Sequence, residues 1–306
     1  MKFTVTTVLL IVSATISSAQ TKLADSLRYE GQLDRAINEY RKVFSENPSD
    51  SENTYKLASA FALTYYQNDS AFYYLEISLR YDSTLWALAD PDLIGMINDD
   101  RWTGIINQQI TKYQLSNGKL RDPDYAVKLL QLIMKDQALD YQVDLARKYY
   151  MRTGLFPHWY YPIEAMRRDI TSSNFEEMKR LIDQYGWPKY SMVGKLAADA
   201  PLLVINHHES DEVRKMYLDT IKKNCLEGEG SCMEYAKIHD RILVNSGQLQ
   251  TYGMQFRYTD DRTLEPFPIE DPEYVDQRRF EIGLEPIKEY LKRKIDYEWT
   301  VIQKEK

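Results

Sequence analysis

The stretch Tyr235–Phe256 runs YAKIHDRILVNSGQLQTYGMQF, and its hydrophobic period changes midway. Tyr235, Ile238 and Ile242 recur at helical spacing, and Asn245-Ser246-Gly247 stops the helix. Beyond the stop, Tyr252, Met254, Phe256 and Tyr258 alternate with Gly253, Gln255 and Arg257, which is strand spacing. Asp260-Asp261 supplies a turn, and Thr263–Ile269 can return as the partner strand. The expectation is one β-hairpin set into a helical domain. The polar residues Asp240, Arg241, Gln250 and Gln255 lie among the apolar ones. Such residues must be hydrogen-bonded if buried, so they either line a site or hold a buried polar network. Gly253 leaves room for another backbone or a ligand to come close.

Upstream of this stretch the chain is helical. A helix is expected over about Tyr125–Met151, with Leu130, Met134, Tyr141 and Leu145 on its apolar stripe and Asp136-Gln137 beside them. LFPHWYYPIEAM (Leu155–Met166) suggests an aromatic loop and a short helix, with Asn174 capping a further helix over Phe175–Gln184. Tyr185-Gly186-Trp187-Pro188 ends that helix, and Trp187 is placed to staple the turn to the core. Pro201 suits the first turn of a helix that ends at His207 and His208. Val213, Met216, Tyr217 and Ile221 mark the next helix, and Ser231 caps the one that carries Asp240. After the hairpin, Glu270-Asp271-Pro272 leads to Asp276 and Arg279, spaced to pair on a helix.

The first third has a different organisation. Leu23, Ala24 and Leu27, then Gly31, then Ala36, Tyr40 and Val43 describe a helix-turn-helix closed by Pro48. Leu57, Ala58 and Phe61, then Ala71, Leu75 and Ser78 repeat it about 34 residues later, with one residue inserted between the helices. The period and the small/large pattern resemble the tetratricopeptide repeat. Two copies need a cap, and Trp86–Tyr113 offers Ile97, Trp102, Ile105 and Ile106 for it. The polar run Ser116–Tyr125 is the expected linker. The domain plan is therefore a signal segment at 1–19, a tetratricopeptide-like domain at 20–115, a linker at 116–124 and a helical domain at 125–306. The fold class is mainly α with one small β-hairpin.

The signal segment rests on Lys2, the uncharged apolar run Val5–Ala14 and small residues Ser17-Ser18-Ala19 before a cut near Gln20. It implies export, to the periplasm or the extracellular space. No cysteine stands at the cut for a lipid anchor, and no later run has the roughly 20 apolar residues of a membrane span. The net charge of −7 argues against nucleic acid as a partner. Two cysteines in an exported chain, Cys225 and Cys232, suggest a disulfide. On a continuous helix they would stand about 10 Å apart, too far to bridge, so the intervening Gly228-Glu229-Gly230 must break it. No metal site is expected: His239 continues their spacing of seven, whereas helical metal pairs stand three or four apart.

Taken together, the motifs of the second domain resemble the family called domain of unknown function 6624, over about Ala126–Leu291. The matching pieces are Asp136-Gln137; Gly186-Trp187-Pro188, Val193-Gly194 and Ala197-Ala198; His207; Asp240-Arg241 with Gly247; Gln250 and Tyr252-Gly253-x-Gln255-Phe256; and Pro268–Pro272 with Asp276, Arg278, Arg279, Gly283 and Leu284. Asn206, His208 and Met254 depart from the Gln, Ala and Thr the family tends to carry. The resemblance brings no activity or cofactor; it implies that these polar residues converge.

Two functions are expected from this. The first is a binding protein, in which the repeats and a polar pocket of the second domain recognise a peptide or an envelope protein; Gln137, Trp187, Arg241, Gln250, Tyr252, Gln255, Glu270 and Arg279 are its binding candidates. The alternative is an enzyme in which His207 does acid–base chemistry, oriented by Asp240 or Asp271. There Arg241 or Arg279 would hold an anionic group, and the glutamines would fix polar atoms. HExxH, the phosphate-binding Gly-rich loop, GxSxG and CxxC are all absent, and no cofactor is expected.

Overall fold

A computed structural model describes residues 19–64 and 66–304. The expected signal segment lies outside them up to residue 18. The protein is mainly α-helical with one small two-stranded antiparallel sheet, and it divides into two compact units after Lys119.

The first unit begins with α1 (19–29), α2 (Leu33–Glu46), α3 (Ser51–Ala62) and α4 (Asn68–Ser78). Consecutive helices pack on one another, α2 on α3 and α3 on α4. Alanines allow this close approach: Ala24, Ala36, Ala58 and Ala71 are fully buried. Leu23, expected on the inner stripe, is instead about half exposed, and Leu27 takes the inner position. Gly31 makes the first turn in the left-handed region (φ 76°). Asp50 caps α3 by accepting from Asn53 N–H. Three 3₁₀ stretches, Leu79–Tyr81, Trp86–Leu88 and Pro91–Met96, then lead to α5 (Trp102–Asn117). Trp102 and Ile105 are buried there.

In the second unit α6 (Pro123–Asp136) is the core helix, and Asp122 caps it through Tyr125 N–H. The expected long helix is broken at Gln137, and α7 (Asp140–Thr153) starts three residues later. Tyr141 consequently faces solvent. The opposite error affects α8, one continuous helix over Tyr160–Tyr185. Pro162 falls in its first turn, where the backbone N–H has no helical partner to lose. Asn174 is not a cap but a buried residue inside it. Two single turns, α9 (Tyr190–Val193) and α10 (Lys195–Ala198), precede α11 (Ala200–His207). Next come α12 (Asp211–Leu226) and α13 (Cys232–Asn245), joined by a turn that the Cys225–Cys232 disulfide closes. On α12, Met216 is exposed and Arg214 buried, the reverse of the polarity pattern. Core packing runs α6 on α8 and α11, and α11 on α12 and α13.

The hairpin pairs β1 (Phe256–Tyr258) with β2 (Leu264–Pro266), Phe256 opposite Pro266. It is shorter than expected, because residues 250–255 form a loop rather than strand. α14 (Val275–Glu281) and α15 (Ile287–Ile295) follow. Among the described residues no helix is long and apolar enough to cross a membrane.

Candidate functional site

The polar residues of the second unit separate into a sealed network and an accessible cluster. The network is built on Asp240, whose side chain is fully buried. Its carboxylate accepts the backbone N–H groups of Thr251 (2.8 Å), Tyr252 (3.0 Å) and Met254 (3.0 Å). Gln250, equally buried, donates to the carbonyls of Gln255 and Phe267 and accepts from Gln255 N–H. Gln255 reaches back to the Lys237 carbonyl (2.8 Å). Arg279 is wholly buried; it donates to the Tyr252 and Glu285 carbonyls and lies over the Tyr290 ring.

These contacts fold the 250–255 loop onto α13, and they are architectural. Arg279 is not paired with Asp276, which instead accepts from Ile287 N–H at the start of α15. The space beside Gly253 is filled by core: a Cβ there would stand 2.5 Å from Ile287 Cδ1 and 3.0 Å from Ile269 Cδ1. Asp271 sits in the left-handed region before Pro272, and its carbonyl receives Tyr274 N–H. The Glu270 carbonyl receives the Arg278 guanidinium. Trp187 packs on Tyr217.

The accessible cluster forms where α6 and α11 end. Asp136 is the last residue of α6 and His207 the last of α11, and the two helices pack together. His207 Nδ1 lies 2.7 Å from Asp136 Oδ2. The aspartate side chain is 1% exposed and the histidine 27%, so a sealed carboxylate holds a ring that reaches solvent. Gln137 Nε2 donates to the same oxygen at 3.0 Å. The partner of His207 is therefore Asp136, in place of the Asp240 or Asp271 expected from the sequence. His208 points elsewhere: it packs on Phe175 and accepts from Ser210 N–H.

Around this pair stand further charges. Asp140, at the start of α7, feels the charges of both His207 and Asp136, and desolvation pushes its carboxyl above the ordinary range. His207, then Arg147 and Arg167, oppose that rise, and the charge of Asp136 adds to it. Arg167 is held by Glu164 in a two-pronged contact of 2.8 and 2.9 Å, and Tyr160 donates to the same glutamate. Arg241, on α13, donates to the carbonyl of Asn206, one residue before His207, at 2.7 Å. Burial, then the charge of Arg214, makes its proton easier to lose than usual, although guanidinium stays charged in water. Arg214 is tied to Asp211 and to the carbonyls that end α11.

Of the residues singled out in the sequence, the structure brings His207, Asp136, Gln137 and Arg241 into one cluster. Asp240, Gln250, Tyr252, Gln255 and Arg279 belong to the network. Asp140 and Arg147 were missed. Their spacing of seven, two helical turns, places them on one face of α7, a signal that the supposed continuous helix concealed.

The fold and the cluster define a mainly helical protein with a half-exposed histidine–carboxylate pair. A family of unknown function (DUF6624) matches residues 123–301, and the chain belongs to that family. No curated protein and no solved structure matches the chain.

Proposed function

We propose that the second unit is an enzyme in which His207 acts as general base and acid. The observation that carries this is the His207–Asp136 contact. A buried carboxylate on Nδ1 selects the tautomer with its proton on that nitrogen and leaves a lone pair on Nε2 of a partly exposed ring. That is the state needed to take a proton from water or from a substrate hydroxyl. Asp136 then stabilises the imidazolium that forms, and Gln137 holds the carboxylate in place. Asp140, whose raised affinity for a proton suits an acid partner, interacts with the same ring through its charge.

The first unit supports a second role, as a tetratricopeptide-like scaffold that recognises a peptide or envelope partner. Its packed helix pairs with alanine crossings favour this, as do Tyr66, Tyr73 and Trp86, which stay exposed. The amino-terminal sequence Lys2–Ala19 supports export of the whole chain to the periplasm or beyond.

The test is a turnover screen of the purified full chain against panels of ester, amide, glycoside and phosphoester substrates. Any activity found must fall about 10²-fold or more in His207→Asn and drop strongly in Asp136→Asn. Activity that persists in both variants would exclude the acid–base role.

A further inference from the structure

Several arginines of the second unit are matched to carboxylates. Arg167 has Glu164, Arg214 has Asp211, Arg180 has Glu177 and Arg293 has Glu285. Arg241, which stands next to the end of α11, has no such partner among the described residues. One of its nitrogens is taken by the Asn206 carbonyl, and among the described residues no carboxylate lies within ion-pair distance of it. The acids whose charge it feels, Asp211 and Glu234, are bound by Arg214 and by Lys237 at 2.5 Å. Arg147 likewise makes no ion pair or side-chain hydrogen bond among the described residues. Its charge reaches Arg241, Asp140 and Tyr160.

Arg241 is partly buried, and a guanidinium partly withdrawn from water without a counter-charge carries a cost that an arriving anion relieves. Arg241 keeps donors on Nε and Nη2 free after its contact with Asn206. Two adjacent donors in that fork match two oxygens of a carboxylate or phosphate. We propose that Arg241, with Arg147 beside it, binds an oxyanion of the substrate and so presents the adjoining part of that substrate to His207. The carboxylate that competes for Arg147 is Asp140, which the desolvation described above makes easier to neutralise. The assignment of the oxyanion to a substrate rests on the acid–base role of His207; the anion site itself does not.

The experiment is calorimetric titration of the full chain with inorganic phosphate and, separately, with acetate, at constant ionic strength set by chloride. Saturable binding of one or both is expected, and the tighter of the two assigns the class of oxyanion. Arg241→Gln should weaken it about tenfold or more, the scale of a charge-assisted pair. Arg147→Gln, at an exposed position, keeps the fold in play and should weaken it severalfold. Arg180→Gln, an exposed control, and His207→Asn should leave it within about twofold. Binding no stronger than chloride's, or binding unchanged in both Arg147→Gln and a folded Arg241→Gln, overturns the site. Retained anion binding with turnover independent of His207 would leave the site standing and remove the catalytic role.

Discussion

His207 Nδ1 stands 2.7 Å from Asp136 Oδ2, although 71 residues separate them in the chain. Each occupies the final position of its helix, so their meeting depends on two helices stopping at the same level. Carbonyls at the end of α11 are held by Arg214 and Arg241, which fixes the place of the histidine independently of the aspartate.

The tautomer follows from that geometry. With an ionised Asp136 as acceptor, neutral His207 must carry its proton on Nδ1. Two-bond ¹⁵N–¹H correlation spectra of the full chain, recorded above the histidine titration, should show Nδ1–H for this ring. In Asp136→Asn the ring should relax toward a mixture of both forms. A native ring protonated on Nε2 contradicts the proposed role as base.

Asp240 governs stability rather than chemistry. Its carboxylate receives three backbone N–H groups from a loop that has no helix or strand partners for them. Asp240→Ala leaves those donors buried and unpaired, a loss of about 3 kcal/mol or more in urea denaturation. Gln250→Glu should also destabilise, by about 2 kcal/mol, because an ionised glutamate cannot donate to the Gln255 and Phe267 carbonyls. Wild-type stability in either variant would mean that the loop is held by something else.

These two groups of residues show what a single sequence could and could not yield. The hairpin, the stop at Gly247 and the Ser231 cap are local, and each is written in a few adjacent residues. The polar residues near the hairpin were visible as a dense set, yet density alone could not separate a sealed network from an open site. The family resemblance implied that Asp136 and His207 converge with the other polar residues, but nothing in their own spacing paired one with the other. The break at Gln137 was hidden because apolar residues continue at helical spacing on both sides. Pro162 and Asn174 misled in the other direction. A proline in the first turn and a buried amide resemble a loop and a cap when only local rules are applied.

The Cys225–Cys232 bridge closes a separation of seven residues between α12 and α13. Constraining so short a loop in the unfolded chain is worth about 2 kcal/mol. The double variant Cys225→Ser, Cys232→Ser should therefore lower the denaturation free energy by about that amount while leaving far-ultraviolet circular dichroism intact. An unchanged midpoint in urea, with m also unchanged, rejects this.

Asp199 should give stability a specific pH dependence. It lies between α10 and α11, where burial, followed by the nearby charge of Glu234, raises its carboxyl to about 6 from an ordinary 3.8. Tyr190 donates to it at 3.1 Å, and Lys237 and Lys195 pull in the opposite direction without cancelling the rise. A carboxyl with a raised folded value is most stabilising when protonated in both states, below about pH 4. As pH climbs toward 6 the unfolded chain ionises first, and this contribution is lost by the time the folded carboxyl has titrated. Asp199→Asn removes the titration while keeping an oxygen that can accept from Tyr190. The free-energy difference between variant and wild type should thus shift in favour of the variant by about 1 to 2 kcal/mol between pH 4 and pH 7.5. A difference that stays flat over that range, or moves the other way, means that Asp199 ionises as an ordinary surface carboxylate.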